Sequence, residues 1–426
     1  MKQKSFILKG DICFSESPTE LKTKENGYLV CEDGISQGVF DEIPDEYKNF
    51  KLLDYTGKLI MPGLVDLHLH APQYHYRGLG MDLELLDWLQ TYTFPHEAKY
   101  VDVDYAKEAY ERFIKDLVKG PNTRFSIFST LHVPSTILLM DMMEESGLVS
   151  FVGKVNMDRN GTDELEEVGP KVSARKTREW LDDIKGKYER TFPILTPRFI
   201  PSCSDELMEL LKEIQSEYKI PIQSHLSESP GEIEWVKELC PDSTCYGDAY
   251  EQFKMLGSKD APTIMAHCVW SDEVEQNLLK ERGVYIAHCP NSNMNLSSGI
   301  APIRKYLNDG QNVGLGSDVA GGTHLSIFRA MSDAIQVSKL RWRLVDESLE
   351  ALKVEEAFYL GTLGGGSFFG NVGSFKKGFE FDAIVLDDET YSPTKDWNIH
   401  QRLERTIYLS ENNNILHKVV RGRKIF

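Results

Sequence analysis

The sequence predicts an α/β protein made of a (β/α)8 TIM barrel and a small β-sandwich domain formed from both termini. Three observations support this. Short apolar or β-branched segments recur through the middle of the chain, amphipathic segments separate most of them, and both ends instead show turn signals between short strand-like segments. The chain has 426 residues, which at ~150 residues per domain allows two or three domains.

The barrel is predicted from alternating strand and helix signals. Eight segments have the composition of short buried strands: 59–69, 124–129, 151–155, 192–199, 220–226, 263–266, 284–287 and 313–316. Apolar residues at three- and four-residue spacing predict helices between them, most clearly at 106–118, 204–214, 232–239 and 271–282. Strands buried on both faces and alternating with helices form parallel sheets, and eight such units match a closed barrel. The connection 156–190 is long and polar in its first half, so its secondary structure is not predicted.

The two ends of the chain have a different pattern. Glu25-Asn26-Gly27 and Glu32-Asp33-Gly34 are turn signals beside the strand-like segments 27–31 and 38–40, and the C-terminal end has strand-like segments at 382–386 and 419–426. Neither end is long enough to form a stable domain by itself. We therefore expect a catalytic barrel at 62–368 and one discontinuous β domain made of 1–61 and 369–426.

The composition argues against some classes of partner. The chain has 48 Lys and Arg against 66 Asp and Glu, and its net charge of −18 would repel phosphate backbones and anionic lipid headgroups. Seven scattered cysteines fit a reducing compartment. No apolar run approaches the ~20 residues of a membrane span or forms the core of a signal peptide. We expect a soluble, cytoplasmic protein without a nucleic-acid or membrane partner.

Histidines are concentrated where the predicted strands end, which is where barrels of this kind carry their chemistry. Six of the eleven lie in or just after a strand: His68, His70, His132, His225, His267 and His288. His68 and His70 are two apart on one strand, so both side chains point to the same face, where they could share a metal ion or be hydrogen-bonded core residues. His225 and Asp318, at two other strand ends, favour the metal, and zinc is the natural ion for nitrogen donors.

Other residues at the strand ends have competing interpretations. Glu228 could move a proton between metal-activated water and a leaving group, or it could be a solvated loop acid or a helix-capping acid. His267 could hydrogen-bond the attacking hydroxide, act as another ligand or be structural, and His288 could orient an oxyanion or Asp318. We assign the remaining histidines to the surface, loops or packing: His75, His96, His132, His324, His400 and His417.

Several segments together resemble the amidohydrolase superfamily. They are PGLVDLHLH (62–70), SHLSE (224–228), MAHC (265–268), AHCPNSN (287–293) and LGSD (315–318). Within the superfamily the chain is most similar to the deaminases that act on guanine, through HAPQ (70–73), LDWL (86–89), YTFP (92–95), TPRF (196–199), HCPNSNMNLSSG (288–299) and DVAGG (318–322). The resemblance covers about 59–370 and weakens at both ends.

The resemblance implies a ligand set and a set of roles. It implies one zinc ion per subunit, with Fe²⁺ as the alternative, held by His68, His70, His225 and Asp318. A single ion is implied because the fourth strand ends Thr196-Pro197-Arg198, without the lysine of two-metal members. It further implies a homodimer, catalytic roles for Glu228, His267 and Asp318, and purine contacts from Gln73, Arg198, Phe199 and Glu228.

These roles combine into one hypothesis, the hydrolysis of guanine to xanthine and ammonia in purine catabolism or salvage. Zinc would lower the pKa of a water molecule, and Asp318 and His267 would orient the resulting hydroxide for attack on C2. Glu228 would accept a proton and deliver it to N3. Arg198 would bond the O6 and N7 edge or be a rim salt bridge.

The remaining two purine contacts have alternatives as well. Gln73 would recognise another ring edge, and Phe199 would stack on the ring or be a core aromatic. The alternatives for the whole protein are another deaminase or hydrolase of the superfamily, acting on a pterin, cytosine, an adenosine derivative or a chlorotriazine, and a non-catalytic barrel scaffold. Scaffolds of this kind typically lose metal ligands, which are retained here.

Overall fold

The N-terminal segment forms four strands of one sheet. The structure, a computed structural model, describes residues 5–258, 261–391, 396–410 and 414–426, so residues 1–4, 392–395 and 411–413 of the predicted β domain lie outside it. β1 (Phe6–Ser17), β2 (Glu20–Glu32) and β3 (Ile35–Phe40) pair antiparallel in sequence, and β4 (Lys51–Pro62) runs parallel to β1. The sequence predicts only the C-terminal part of β2, because its first half is mostly polar and exposed.

The barrel strands follow and pair in parallel. They are β5 (Leu64–His70), β6 (Asn122–Phe128), β7 (Val149–Gly153), β8 (Val155–Asn156), β9 (Thr191–Pro193), β10 (Thr196–Pro197), β11 (Ile222–Leu226), β12 (Thr263–His267), β13 (Tyr285–His288) and β14 (Asn312–Leu315). The barrel has eight strand positions. β7 and β8 together form the third position, and β9 and β10 together form the fourth. The ring closes beyond β14, where the Asp318 N–H donates to the His68 carbonyl at 2.8 Å and the His70 N–H to the Val319 carbonyl at 2.8 Å.

Two predicted strands are divided in the structure, each for a local reason. The segment 59–69 splits at Gly63, where a Cβ atom would lie 2.2 Å from Thr123, and the two halves belong to different sheets. The segment 192–199 splits at Ile194 and Leu195, where the backbone changes partner, because the Ile194 N–H donates to Val152 and the Leu195 N–H to Pro221.

Helices connect the barrel strands and surround them. They are α1 (Leu85–Trp88), α2 (Phe94–Glu97), α3 (Val103–Lys119), α4 (Val133–Ser146), α5 (Pro170–Asp183), α6 (Asp205–Tyr218), α7 (Pro230–Leu239), α8 (Tyr246–Glu251), α9 (Glu273–Arg282), α10 (Pro290–Asn295), α11 (Ile303–Asn308), α12 (Ile327–Leu344), α13 (Val354–Tyr359) and α14 (Ile399–Leu409). The side chains of Asp102, Ser204 and Asp272 cap α3, α6 and α9 by accepting from N–H groups of the first turn. The described helices include none with the length and apolarity needed to cross a membrane.

The C-terminal strands complete the first sheet. β15 (Ala383–Leu386), β16 (Ile415–Val420) and β17 (Arg423–Lys424) extend it to seven strands in the order β17-β16-β15-β4-β1-β2-β3. Arg124 on barrel strand β6 joins it to the barrel through ion pairs to Asp382, at 2.5 Å, and to Glu380, at 2.7 Å. The fold class predicted from the sequence, a TIM barrel with a β domain built from both termini, is confirmed.

Candidate active site

Four predicted metal ligands converge at the C-terminal ends of three barrel positions. His68 and His70 end β5, His225 lies near the end of β11, and Asp318 follows β14. The Nε2 atom of His70 lies 3.3 Å from those of both His68 and His225. One carboxylate oxygen of Asp318 lies 3.1 Å from Nε2 of His68 and 3.3 Å from that of His70. The structure therefore brings together donors that are up to 250 residues apart in the sequence.

The chemistry of this donor set fits a divalent metal ion. His225 Nδ1 lies 2.6 Å from the Arg198 carbonyl and donates to it, so its Nε2 carries the free lone pair. Burial lowers the pKa of His68 to about 4, which keeps that imidazole neutral as well. Nitrogen donors arranged tetrahedrally at about 2.0–2.1 Å from one ion lie about 3.3 Å from each other, which is the spacing observed.

Glu228 and His267 lie beside these donors. Nε2 of His267 is 3.3 Å from a Glu228 carboxylate oxygen and 3.8 Å from the second Asp318 oxygen, and its Nδ1 is 2.9 Å from the Asn293 amide oxygen. His267 has a φ of 74° and Asp318 a φ of 43°. These left-handed conformations are costly for residues other than glycine and are typical of functional sites.

Glu228 is neither a solvated loop acid nor a helix-capping acid. It is 3% exposed, and Ser229, the next residue, caps α7. The Ser298 hydroxyl donates to the Glu228 carboxylate at 3.1 Å, and the carboxylate of Glu232 accepts from the Glu228 N–H at 3.0 Å. Burial, together with the charge of Asp318, raises the pKa of Glu228 well above its usual value, which favours the protonated form of this carboxyl.

One cavity brings the predicted residues together. Of the nine predicted site residues, all but His68 line it. The lining consists of His70, Gln73, Leu85, Trp88, Leu89, Arg198, Phe199, His225, Glu228, Glu232, His267, Leu296 and Asp318. Leu85, Trp88 and Leu89, from α1 and the residue after it, supply most of the apolar part, and Phe199 and Leu296 complete it. The cavity therefore combines an apolar wall with the titratable groups described above.

Behind the polar wall lies Glu97, a residue that the sequence did not predict. Arg198 is 3% exposed and makes a two-point ion pair with Glu97, at 2.7 and 3.2 Å. Gln73 donates to the same carboxylate at 2.8 Å and accepts from the Ala320 N–H at 3.2 Å. Arg198 is therefore a buried ion-pair partner rather than a rim salt bridge. No spacing pattern links position 97 to positions 73 and 198, so sequence reasoning had no signal for Glu97.

Two other buried residues support the site and were also missed. Phe128, at the end of β6, packs against the rings of His68, His70 and His225 with centroid distances of 4.7–4.9 Å. Asp66 accepts from the backbone N–H groups of Ser317 and His68, at 2.9 and 3.3 Å, and burial raises its pKa to about 7. Asp66 thus connects the first barrel strand to the segment that carries Asp318.

Two histidines at strand ends are not brought into the cavity. His288 is buried, its ring nitrogens have no hydrogen-bond partner within the described residues, and burial lowers its pKa to about 3. Its ring thus makes no hydrogen bond to Asp318, one of the two roles weighed for it. His132 occupies the N-cap position of α4 without a side-chain capping bond.

Comparisons with known proteins agree on one family. The model of the amidohydrolase family matches residues 59–425. A guanine deaminase from Dictyostelium discoideum is 38% identical over 382 residues, which is 88% of this chain and 84% of that protein. One from Escherichia coli K12 is 33% identical over 427 residues, 96% of this chain and 93% of that protein. The crystal structure of guanine deaminase from C. acetobutylicum, with guanine bound in its active site, has a TM-score of 0.96 and 46% identity, covering 99% of this chain and 100% of that one.

Proposed function

We propose, from the premise that the chain belongs to the amidohydrolase family and has guanine deaminases as relatives, that it hydrolyses guanine to xanthine and ammonia. The chain is a hydrolase of a carbon–nitrogen bond in a ring amidine. The observation that carries the proposal is a single cavity lined by the histidine and aspartate donors, by the proton-holding Glu228 and by the Arg198–Gln73 wall.

Zinc is the metal that we propose for the divalent site. Three imidazole nitrogens and one carboxylate are a donor set that zinc accepts readily, and the oxygen-rich sites of magnesium and calcium differ from it. The ion would be held by His68, His70, His225 and Asp318. When bound there, it would lower the pKa of water toward neutrality and so supply a nucleophile.

The protein's own groups position the base and move the protons. Glu228 takes a proton from the attacking water and returns it to ring nitrogen N3, because its raised pKa allows it to hold a proton between the two transfers. His267, fixed by Asn293, orients the water together with Asp318. The water oxygen forms a bond to C2. The second water proton, carried by the new C2 hydroxyl, passes to the exocyclic amine, the C2–N bond breaks to release ammonia, and the oxygen stays as the C2 carbonyl of xanthine.

The wall opposite these groups holds the purine. Arg198 and Gln73 present N–H donors that suit the O6 and N7 acceptors of guanine. Phe199 is 5% exposed and lines the cavity, where its ring offers a stacking surface.

The test combines metal analysis with turnover of guanine. Purified protein should contain a stoichiometric transition metal, and incubation with guanine should replace its ultraviolet band with that of xanthine. Removal of the metal with a chelator should abolish turnover, and zinc should restore it. Metal-loaded protein that leaves guanine unchanged but deaminates another amine-bearing ring would overturn the substrate assignment.

The setting of the enzyme belongs to the same proposal. We expect a homodimer in the cytoplasm that acts in purine catabolism, with guanine and water as its small-molecule partners. The acidic surface and scattered cysteines support this location. We also propose the division into a barrel domain at 62–368 and a discontinuous β domain at 1–61 and 369–426, supported by the sheet that joins both ends of the chain.

A further inference from the structure

Glu97 lies directly behind the purine-facing wall without lining the cavity itself. It is 2% exposed and ends the short helix α2. Its two carboxylate oxygens accept three hydrogen bonds, two from the Arg198 guanidinium and one from the Gln73 amide. The same helix contributes Phe94, whose ring lies 5.2 Å from the guanidinium carbon of Arg198. Helix α2 therefore fixes the guanidinium from two sides.

These contacts determine which hydrogen-bonding groups face the cavity. A carboxylate paired with a guanidinium only accepts hydrogen bonds, so the Gln73 group that meets Glu97 must be the NH2. The Gln73 oxygen is oriented toward the Ala320 N–H. Arg198 has donors only, and Gln73 keeps one N–H that Glu97 does not use. The wall offered to a ligand is thus a set of N–H donors, and Glu97 sets that polarity.

We infer that Glu97 is a specificity-determining positioning residue that makes this wall donor-only and thereby selects purines with a carbonyl rather than an amine at C6. The inference rests on the proposed function, since it concerns how guanine is told apart from its analogues. An amine at C6 would place its N–H donors against the N–H donors of Arg198 and Gln73. In a buried site each donor left without an acceptor has a high cost in binding free energy.

The wild-type protein tests the polarity directly. In 2,6-diaminopurine the C2 amine of guanine is kept and the C6 carbonyl is replaced by an amine, while 2-aminopurine has only hydrogen at C6. A donor-only wall predicts that kcat/KM is highest for guanine, lower for 2-aminopurine and lowest for 2,6-diaminopurine. The kcat/KM for guanine should exceed that for 2,6-diaminopurine at least about a hundredfold. Equal kcat/KM for guanine and 2,6-diaminopurine would overturn the inference, whatever any variant does.

The variant Glu97→Gln tests the role of this residue. A carboxamide in its place puts its NH2 against the donors of Arg198 or Gln73, and a rotated Gln73 would meet the Ala320 N–H with its own NH2. We expect kcat/KM for guanine to fall about ten- to a hundredfold, which is the effect of losing one or two hydrogen bonds to a charged group. The kcat/KM for 2,6-diaminopurine should change little. The ratio between the two substrates should therefore narrow by the same factor. Glu97→Asp, which remains an acceptor only, should keep the ratio even if its rate is lower.

A matched control separates specificity from stability. Glu167 forms a buried ion pair with Lys154 at 2.9 Å outside the cavity lining, so Glu167→Gln removes a comparable charge without touching the wall. It should leave the substrate ratio unchanged whatever it does to the melting temperature. Equal losses for both substrates in Glu97→Gln would show a structural role and refute the inference. If metal-loaded wild-type protein turned over neither purine, the proposed function would fail, and equilibrium dialysis with guanine and 2,6-diaminopurine would still decide the polarity.

Discussion

Replacing Glu228 with Gln isolates the proton transfer from the rest of the site. The substitution keeps the size of the side chain. A carboxamide oxygen can still accept from the Ser298 hydroxyl, which donates to the Glu228 carboxylate at 3.1 Å. It cannot hold a proton and give it up again. The four converging metal donors are unchanged, so the variant should bind its metal normally.

The expected loss follows from the surroundings of this carboxyl. Burial and the charge of Asp318 raise its pKa well above the usual range, which makes this carboxyl a better proton acceptor than an exposed one. Loss of a general acid–base group of this kind costs roughly 10²–10⁴-fold in rate, which is about 3–5 kcal/mol in activation free energy. The loss should appear in kcat, because the purine-facing wall is intact.

The assay is the initial rate of guanine loss in metal-loaded protein, with the metal content measured in the same samples. Ser298→Ala is the matched control, since it removes only one hydrogen bond to the same carboxyl, a bond that lowers its pKa. It should cost about tenfold or less and shift the rising limb of the pH–rate profile to higher pH, because Glu228 must be deprotonated to accept the first proton. Near-normal kcat in Glu228→Gln with full metal would refute the proton-transfer role.

Three further predictions concern the metal and stability. His225→Ala removes a converging donor and should abolish both bound metal, measured by plasma emission, and turnover; retained metal would exclude His225 as a ligand. Burial and the charge of Glu228 raise the pKa of Glu232 from 4.5 to about 7, so this group adds about 3 kcal/mol of stability below pH ~4.5 that is lost as the pH rises through 7. Urea unfolding should show a flatter pH dependence in Glu232→Gln, and equal slopes would contradict the assignment. Arg124→Met leaves Asp382 buried without its partner and should lower the free energy of unfolding by about 3–5 kcal/mol, part of which Asp382→Asn should restore; the idea fails if the single variant is as stable as wild type.

The fold was predictable where the physical signal is local. Strands such as β6 and β12 are buried along their whole length, and their apolar and β-branched residues mark them in the sequence, so eight strand positions could be placed in order. The boundary at Gly63 was not predictable, because the requirement for glycine comes from Thr123 on the neighbouring strand. The polar half of β2 was not predicted for a similar reason, because it is held as a strand by its pairing with β1 and not by an apolar composition.

The candidate site divides in the same way. The residues that converge around the metal position each end a barrel strand, and the rule that strand ends meet at one face of the barrel is sufficient to group His68, His70, His225 and Asp318. The sequence proposed Glu228 for proton transfer but left a solvated or helix-capping acid as the alternative, and its burial beside His267 and Ser298 was needed to exclude that alternative.

Glu97 shows where sequence reasoning ends in this protein. Its carboxylate contacts Gln73 after the first barrel strand and Arg198 after the fourth, and Gln73 in turn contacts Ala320 after the eighth. These are contacts between loops, and a loop has no periodicity from which its neighbours can be read. The residues that line the cavity are therefore easier to find from sequence than the residue behind them that orients their hydrogen-bonding groups. A change of specificity in such a site would be sought first at position 97, although that residue does not line the cavity.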